Sequence, residues 1–248
     1  MKLPLVFLFA TLLPATTFSQ TPGVIDLKPE SKAIRDLSPK AIEEFKERDK
    51  VAVKLTNGAS RESLTKKELA LLNKYGWGEE GSIWDIMDQG CSWYCGGGPR
   101  KIAASSFLAP AGDTSYDAEK AHDNSLKAAW VEGVPGYGKG QYLEYFFENK
   151  SPRLTNVLIY NGYVKSEKTW KENSRVKQLL LSVNGAPYAR LHLADTRDLQ
   201  NFSLPGPLGR RADGKELELR FEIVEVYKGL LHADTALTEL YFDGIDVH

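Results

Sequence analysis

KELELRFEIVEVY, residues 215–227, decides the fold. Leu217, Leu219, Phe221 and Ile223 alternate with Glu216, Glu218, Arg220 and Glu222, so one face is apolar and the other charged, the period of a strand with one side in a core. At Val224 the alternation breaks and Val226 continues on the other face, which predicts a bulge or a change of sheet. Upstream, residues 141–148 (QYLEYFFE) form a second, aromatic strand, and 154–160 (LTNVLIY) a mostly apolar run of the kind buried on both faces. Residues 176–183 and 188–193 flank Asn184-Gly185, a hairpin signal because both central positions of a type I′ turn need positive φ; Pro187 is expected to lengthen the loop. A final strand covers 236–242. Short strands separated by turns, with no helices between them, predict an antiparallel sandwich or barrel from about residue 101 to 248.

The preceding residues, 20–100, read differently. Residues 21–36 lack periodicity and read as a poorly ordered leader. Ser38 is a good N-cap with Pro39 at the first helical position, and Ala41, Ile42 and Phe45 form a short apolar stripe. Thr65 and Glu68 make a capping box for a second helix, with Leu69, Leu71 and Leu72 as its face and Gly76 at its end. These narrow stripes predict a helical region that packs on the main domain or on a partner. Residues 1–19 have the form of a signal peptide: Lys2, the apolar run from Leu3 to Leu13, and small residues at Thr17 and Ser19. The run is too short to span a bilayer and no cysteine stands at the cleavage site, so a secreted or periplasmic chain without membrane insertion is expected. In an oxidising compartment Cys91 and Cys95 are expected to form a local disulfide.

With 32 basic against 33 acidic residues and no long run of one sign, the chain has no electrostatic footprint for nucleic acid or an anionic membrane. No HExxH, GxSxG or Walker A pattern is present. GYGKG at 136–140 fails as a dinucleotide loop because Gln141 stands where a third glycine belongs and a strand follows; its glycines serve a tight turn. Three segments mix aromatic, amide and charged residues: Trp130 and Glu132 with Tyr137 in the glycine loop, Asn161 and Tyr163 in NGY, and Trp170, Asn173 and Arg175 in WKENSR. Aromatic faces suit the CH patches of a sugar, and carboxylates, amides and guanidinium groups its hydroxyls, so convergence of the three would make a glycan site. The alternative is a buried network in which Glu132, Asn161, Asn173 and Arg175 pin the loops together and the tryptophans are core.

Five stretches in order, ASSFL (104–108), AHDNSLKAAWVEG (121–133), GYGKGQYLEYFF (136–147), IYNGYVKSEKTWKENSRVK (159–177) and VYKGLLHADTALTELYF (226–242), resemble the NAD glycohydrolase translocation domain family, a glycan-binding type of jelly roll related to discoidin and coagulation-factor type C domains. The resemblance spans about residues 103–243 and implies an eight-stranded antiparallel jelly-roll β-sandwich and a non-catalytic binding role, with a glycan as the partner. It also implies a structural calcium between Asp123 and Glu239. Ala128 stands where the family has a hydroxyl ligand and Asn124 where it has glycine, so backbone carbonyls would have to fill the shell. Two other functions stay open: docking on a cell-surface or exported protein, and hydrolysis by a carboxylate pair hidden among the acids.

Overall fold

The computed structural model describes residues 23–77, 81–87 and 92–247. The expected signal peptide and Cys91, and with Cys91 the expected disulfide to Cys95, lie outside them. No helix among the described residues is long and apolar enough to cross a membrane.

The strands are β1 (Ile25–Leu27), β2 (Glu30–Lys32), β3 (Lys101–Ala104), β4 (Trp130–Val131), β5 (Tyr142–Phe147), β6 (Leu154–Asn161), β7 (Ser174–Val183), β8 (Ala186–His192), β9 (Leu199–Leu208), β10 (Leu217–Tyr227) and β11 (Thr235–Gly244); the helices are α1 (Pro39–Thr56), α2 (Lys66–Tyr75) and α3 (Glu167–Glu172). One layer runs β2-β9-β6-β11 and the other β8-β7-β10-β5-β3. Among the described residues, strand pairing joins them where Thr235 and Ala236 of β11 lie parallel to Ser174 and Arg175 of β7. The core fills the space between: the Phe242 ring of β11 stands 5.0 Å from Tyr145, 5.1 Å from Phe147 and 6.2 Å from Phe221 of the opposite layer, edge-on to the first two. This is the expected jelly-roll sandwich, with β1, β2 and β4 added as short strands.

Local sequence accounts for most of this. In β10 the pairing passes from Ile223↔Leu179 to Glu225↔Gln178, leaving Val224 as the extra residue of a bulge. Asn184 (φ 51°) and Gly185 (φ 80°) close a two-residue turn between Val183 and Ala186. Pro187 does not lengthen it; the irregularity is absorbed farther along, where Ser182 pairs with Pro187 but Leu181 with Ala189. Ser38 Oγ accepts from Ala41 N–H, and the Thr65–Glu68 capping box is closed from both sides.

The leader is corrected. Ile25–Leu27 runs parallel to Ala189–Leu191, and Glu30–Lys32 pairs antiparallel with Leu199–Asn201. These segments carry no amphipathic signal because both extend sheet edges with mostly exposed side chains; backbone pairing holds them, helped in the first by Leu27 against the core and by Asp26, 2.6 Å from His192 Nε2. The helical region packs on the main domain: Leu37, Ala41 and Phe45 form a cluster with Tyr160 and Tyr241 on the outer face of β6 and β11. Covered on both faces, β11 is buried from Thr235 to Phe242.

Candidate functional site

The three aromatic–polar segments do meet, around the first residues of β11. That is where the two layers are stitched together, and the stitching consumes the side chains. Asn161, fully buried at the end of β6, donates through Nδ2 to Val176 O (2.7 Å) and accepts from Val176 N–H through Oδ1 (3.0 Å), so its amide replaces a missing backbone ladder between the layers. The Trp170 indole donates to Asn161 O (2.9 Å), and the Arg175 guanidinium lies 4.4 Å above the Trp170 ring. Arg175 also holds Asp195 through two bonds of 2.7 and 3.0 Å and donates to the carbonyls of Trp170 and Asn173. Asn173 ends α3, its Nδ2 bonded to Thr169 O (2.8 Å). Gly162 has φ +80° and lies so close that a Cβ there would sit 2.6 Å from Arg175 Cγ.

The same holds on the other side of β11. Trp130 is 1% exposed, pairs with Leu237 and donates its indole N–H to Ser106 O (2.9 Å). Glu132 is fully buried and accepts from Thr235 N–H (3.1 Å) and Val134 N–H (2.9 Å). Burial pushes its carboxyl above the usual range, and those two bonds partly oppose the shift. Gly138, at φ +63°, is required: a Cβ there would stand 2.3 Å from Glu132 Cγ. Tyr137 contributes its carbonyl to Thr235 Oγ1 (2.9 Å), with Lys228 Nζ 5.1 Å from its ring. These bonds occupy the polar groups of Trp130, Glu132, Asn161 and Arg175, which are buried, and of Trp170 and Asn173, which are half-buried, in a network that pins the loops together. A sugar would have to displace bonds that hold the two layers together.

Tyr163 departs from this pattern. Half-buried against Ala129, Val131 and Ala236, it faces a cavity of about 290 Å³, and burial raises its phenol pKa. Asp113, Thr114 and Ser115 supply one part of the wall, and Lys120, Asp123 and Ser125 another. Lys127, Ala128 and Lys165 complete it. Hydroxyls, carboxylates and ammonium groups thus surround one aromatic ring, with three lysines against two aspartates.

Asp123 and Glu239 also come together. Ser125 N–H donates to both, at 3.2 Å to Asp123 Oδ1 and 2.8 Å to Glu239 Oε1. Glu239 is fully buried, and its Oε2 and the buried Asn124 Oδ1 have no hydrogen-bond partner. Lys120 Nζ lies 3.3 Å from Asp123 Oδ2, but burial, reinforced by the Asp123 charge, pushes the Glu239 carboxyl well above its usual range, so Glu239 requires either a proton or a cation of its own. Among the described residues no group of three or more His, Cys, Asp or Glu side chains is placed to hold a metal ion. The all-oxygen set fits calcium in kind, with Asp123 and Glu239 as its side-chain ligands and backbone carbonyls for the rest, and such an ion would neutralise the pair and fix the loop. The sign follows from the raised pKa. A carboxyl favoured protonated in the folded state stabilises below its unfolded value near 4.5 and loses that contribution as pH rises through the folded value. Without calcium, Glu239→Gln is therefore expected to raise the neutral-pH melting temperature by roughly 2–4 °C, about 1 kcal/mol, and to flatten its fall above pH 4.5. Calcium is expected to stabilise the parent chain and leave the variant unmoved, both read by thermal denaturation across pH.

Residues 93–243 match the family described as NAD glycohydrolase translocation F5/8 type C domain. The chain belongs to this family. The match begins at Trp93, whose buried ring packs edge-on against Phe147, and runs from β3 to Asp243, the next-to-last residue of β11. No curated protein sequence matches the chain significantly. Among solved structures, this member of the F5/8 type C family is similar to the family 32 carbohydrate-binding module of Clostridium perfringens NanJ in complex with galactose, at 13% identity and TM-score 0.40 over 57% of this chain and 91% of that one. It is similar to the family 32 module of Streptococcus pneumoniae EndoD at 8% identity and TM-score 0.40, over 58% and 96%. It is also similar to the CBM32-1 and CBM32-2 domains of Clostridium perfringens ZmpB in complex with GalNAc, at 15% identity and TM-score 0.42, over 59% of this chain but only 33% of that one, so it spans about a third of that protein's length.

Sequence reasoning missed most of the cavity wall. AGDTS at 111–115 holds no aromatic residue, and the lysines stand apart in the chain; only Tyr163 and Asp123 carried a signal.

Proposed function

We propose that this is an exported, non-catalytic binding protein that holds a carbohydrate in the Tyr163 cavity. The observation that carries the reading is the wall itself: one half-buried aromatic face among hydroxyl, carboxylate and ammonium groups, in a concavity near the size of small-ligand sites. Membership of the F5/8 type C family, whose resemblance implies glycan recognition, supports the same reading. Hydrolysis needs two carboxyl groups placed either side of a scissile bond. Glu239, whose surroundings favour the protonated acid, is fully buried and forms no part of the cavity wall.

A glycan array probed with the mature chain beside Tyr163→Leu tests the proposal. Leucine keeps the packing on Ala129 and Val131 but removes the flat face, so glycans retained by the parent are expected to lose affinity roughly tenfold to thirtyfold. Equal retention by both proteins would remove the site from this cavity. One observation favours protein docking as a second reading. Leu230 and Leu231 are 82% and 67% exposed, on a loop whose backbone N–H groups are tied to Lys171 O and Glu172 O. The double change Leu230→Ser, Leu231→Ser is expected to leave glycan retention intact; its loss would move the binding surface to that loop.

A further inference from the structure

A larger cavity, about 590 Å³, lies where the helical region and the leader cross the outer face of the β6-β11 layer. Its floor is made by Leu158, Tyr160, Leu199 and Tyr241, from the family-matched part of the chain. Its remaining walls come from residues before the match. The cavity is therefore a feature of this particular combination of segments, separate from the Tyr163 site.

The chemistry of the wall is specific. Phe45 and Tyr75 meet edge-on at 5.5 Å and, with Tyr160 and Tyr241, give the lining four aromatic residues. Three cations reach the cavity, and one is already neutralised: Lys74 Nζ is 2.7 Å from Glu44 Oε2, which also accepts from Tyr75 OH (2.9 Å). The other two, Lys32 and Arg35, have no carboxylate partner among the described residues, and Arg35 makes one long bond, 3.5 Å, to Ile83 O. The single acid of the wall, Asp36, accepts from Ser38 N–H (2.8 Å) and keeps its charge, so the wall remains net positive. Two cations without an ion-pair partner, against one carboxylate turned to Ser38, beside aromatic residues favour an anion with an apolar ring over a neutral polyol, because a guanidinium or ammonium gains most from a charged acceptor.

We infer that this cavity is a second ligand site, for an organic carboxylate with a ring-sized body, the carboxylate on Lys32 and Arg35 and the ring among Phe45, Tyr160 and Tyr241. Calorimetric titration of the mature chain with D-glucuronate, benzoate and D-glucose tests it, beside Lys32→Ala, Arg35→Ala and Tyr163→Leu. At least one carboxylate is expected to bind saturably and glucose more weakly. Either alanine substitution is expected to lower the affinity about tenfold or more, the loss of one charge-assisted contact, while Tyr163→Leu leaves it unchanged. Binding of glucuronate alone would assign a hydroxylated ring, and of benzoate alone a plain aromatic one. Three results would each overturn the inference: no saturable binding of either carboxylate, affinity unchanged in both alanine variants, or binding abolished by Tyr163→Leu.

Discussion

Replacing Trp130 by alanine is expected to cost about 3–5 kcal/mol of stability, a fall in melting temperature of roughly 6–20 °C for a chain of this size. The indole is 1% exposed and belongs to the core cluster, so its removal leaves a cavity that the surrounding strands cannot close. It also leaves Ser106 O without its donor. Trp130→Phe keeps most of the buried ring and is expected to recover more than half of the loss while leaving glycan retention as in the parent. Thermal denaturation of both variants checks the first part and the array the second. If Trp130→Ala left the melting temperature unchanged while binding vanished, the residue would belong to a ligand site after all.

Arg175→Ala is expected to have the next largest effect, about 2–4 kcal/mol. The side chain is 9% exposed and makes two bonds to Asp195, two to backbone carbonyls and a stack on Trp170. Losing it leaves those carbonyls short of a donor and Asp195 without its partner. Asp195 is 38% exposed, so water recovers part of its charge, which keeps the figure below that of a fully buried pair. Arg175→Lys is expected to restore only a small part, because an ammonium cannot reach both carboxylate oxygens and both carbonyls or lie flat on an indole. The readout is urea denaturation. The residues on either side of the β7–β11 junction are expected to lose amide protection first in the alanine variant, since Arg175 stands beside Ala236 where strand pairing joins the two layers.

Backbone features with a strict local grammar were legible in the sequence. The period-two pattern of residues 217–223 fixed a strand, its failure at Val224 marked the bulge, and Asn184-Gly185 and the Ser38 and Thr65 caps are where they were expected. Strand β9 was not legible. Pro205 and Pro207 interrupt it, and its register to β6 slips between Ser203 and Leu208, so it shows no clean alternation. The buried Arg48 of α1 hid the length of that helix's inner face, because a guanidinium 4.0 Å above the Phe45 ring fills a position that hydrophobicity alone would call outward.

The site was the hardest to read, for a chemical reason. A sugar hydroxyl and a backbone peptide group ask for the same partners, so an amide and a guanidinium beside tryptophan describe equally a glycan platform and a seam between two β-layers. Asn161 decides between them only through the two bonds to Val176 that the fold reveals. Tyr163 differs from its neighbours only in lining the cavity, and the polar residues that line it with Tyr163, Asp113 to Ser115, have no pattern that sequence spacing can detect.

The most direct test of the account is an amide-resolved NMR titration of the mature chain with the best-retained glycan from the array. Saturable shifts are expected at Asp113 to Ser115, Tyr163 and Lys165, with Ser174 to Val176 and Glu132 unmoved. Shifts centred on Glu132, Asn161 and Arg175, or no saturable shift with any retained glycan, would contradict it.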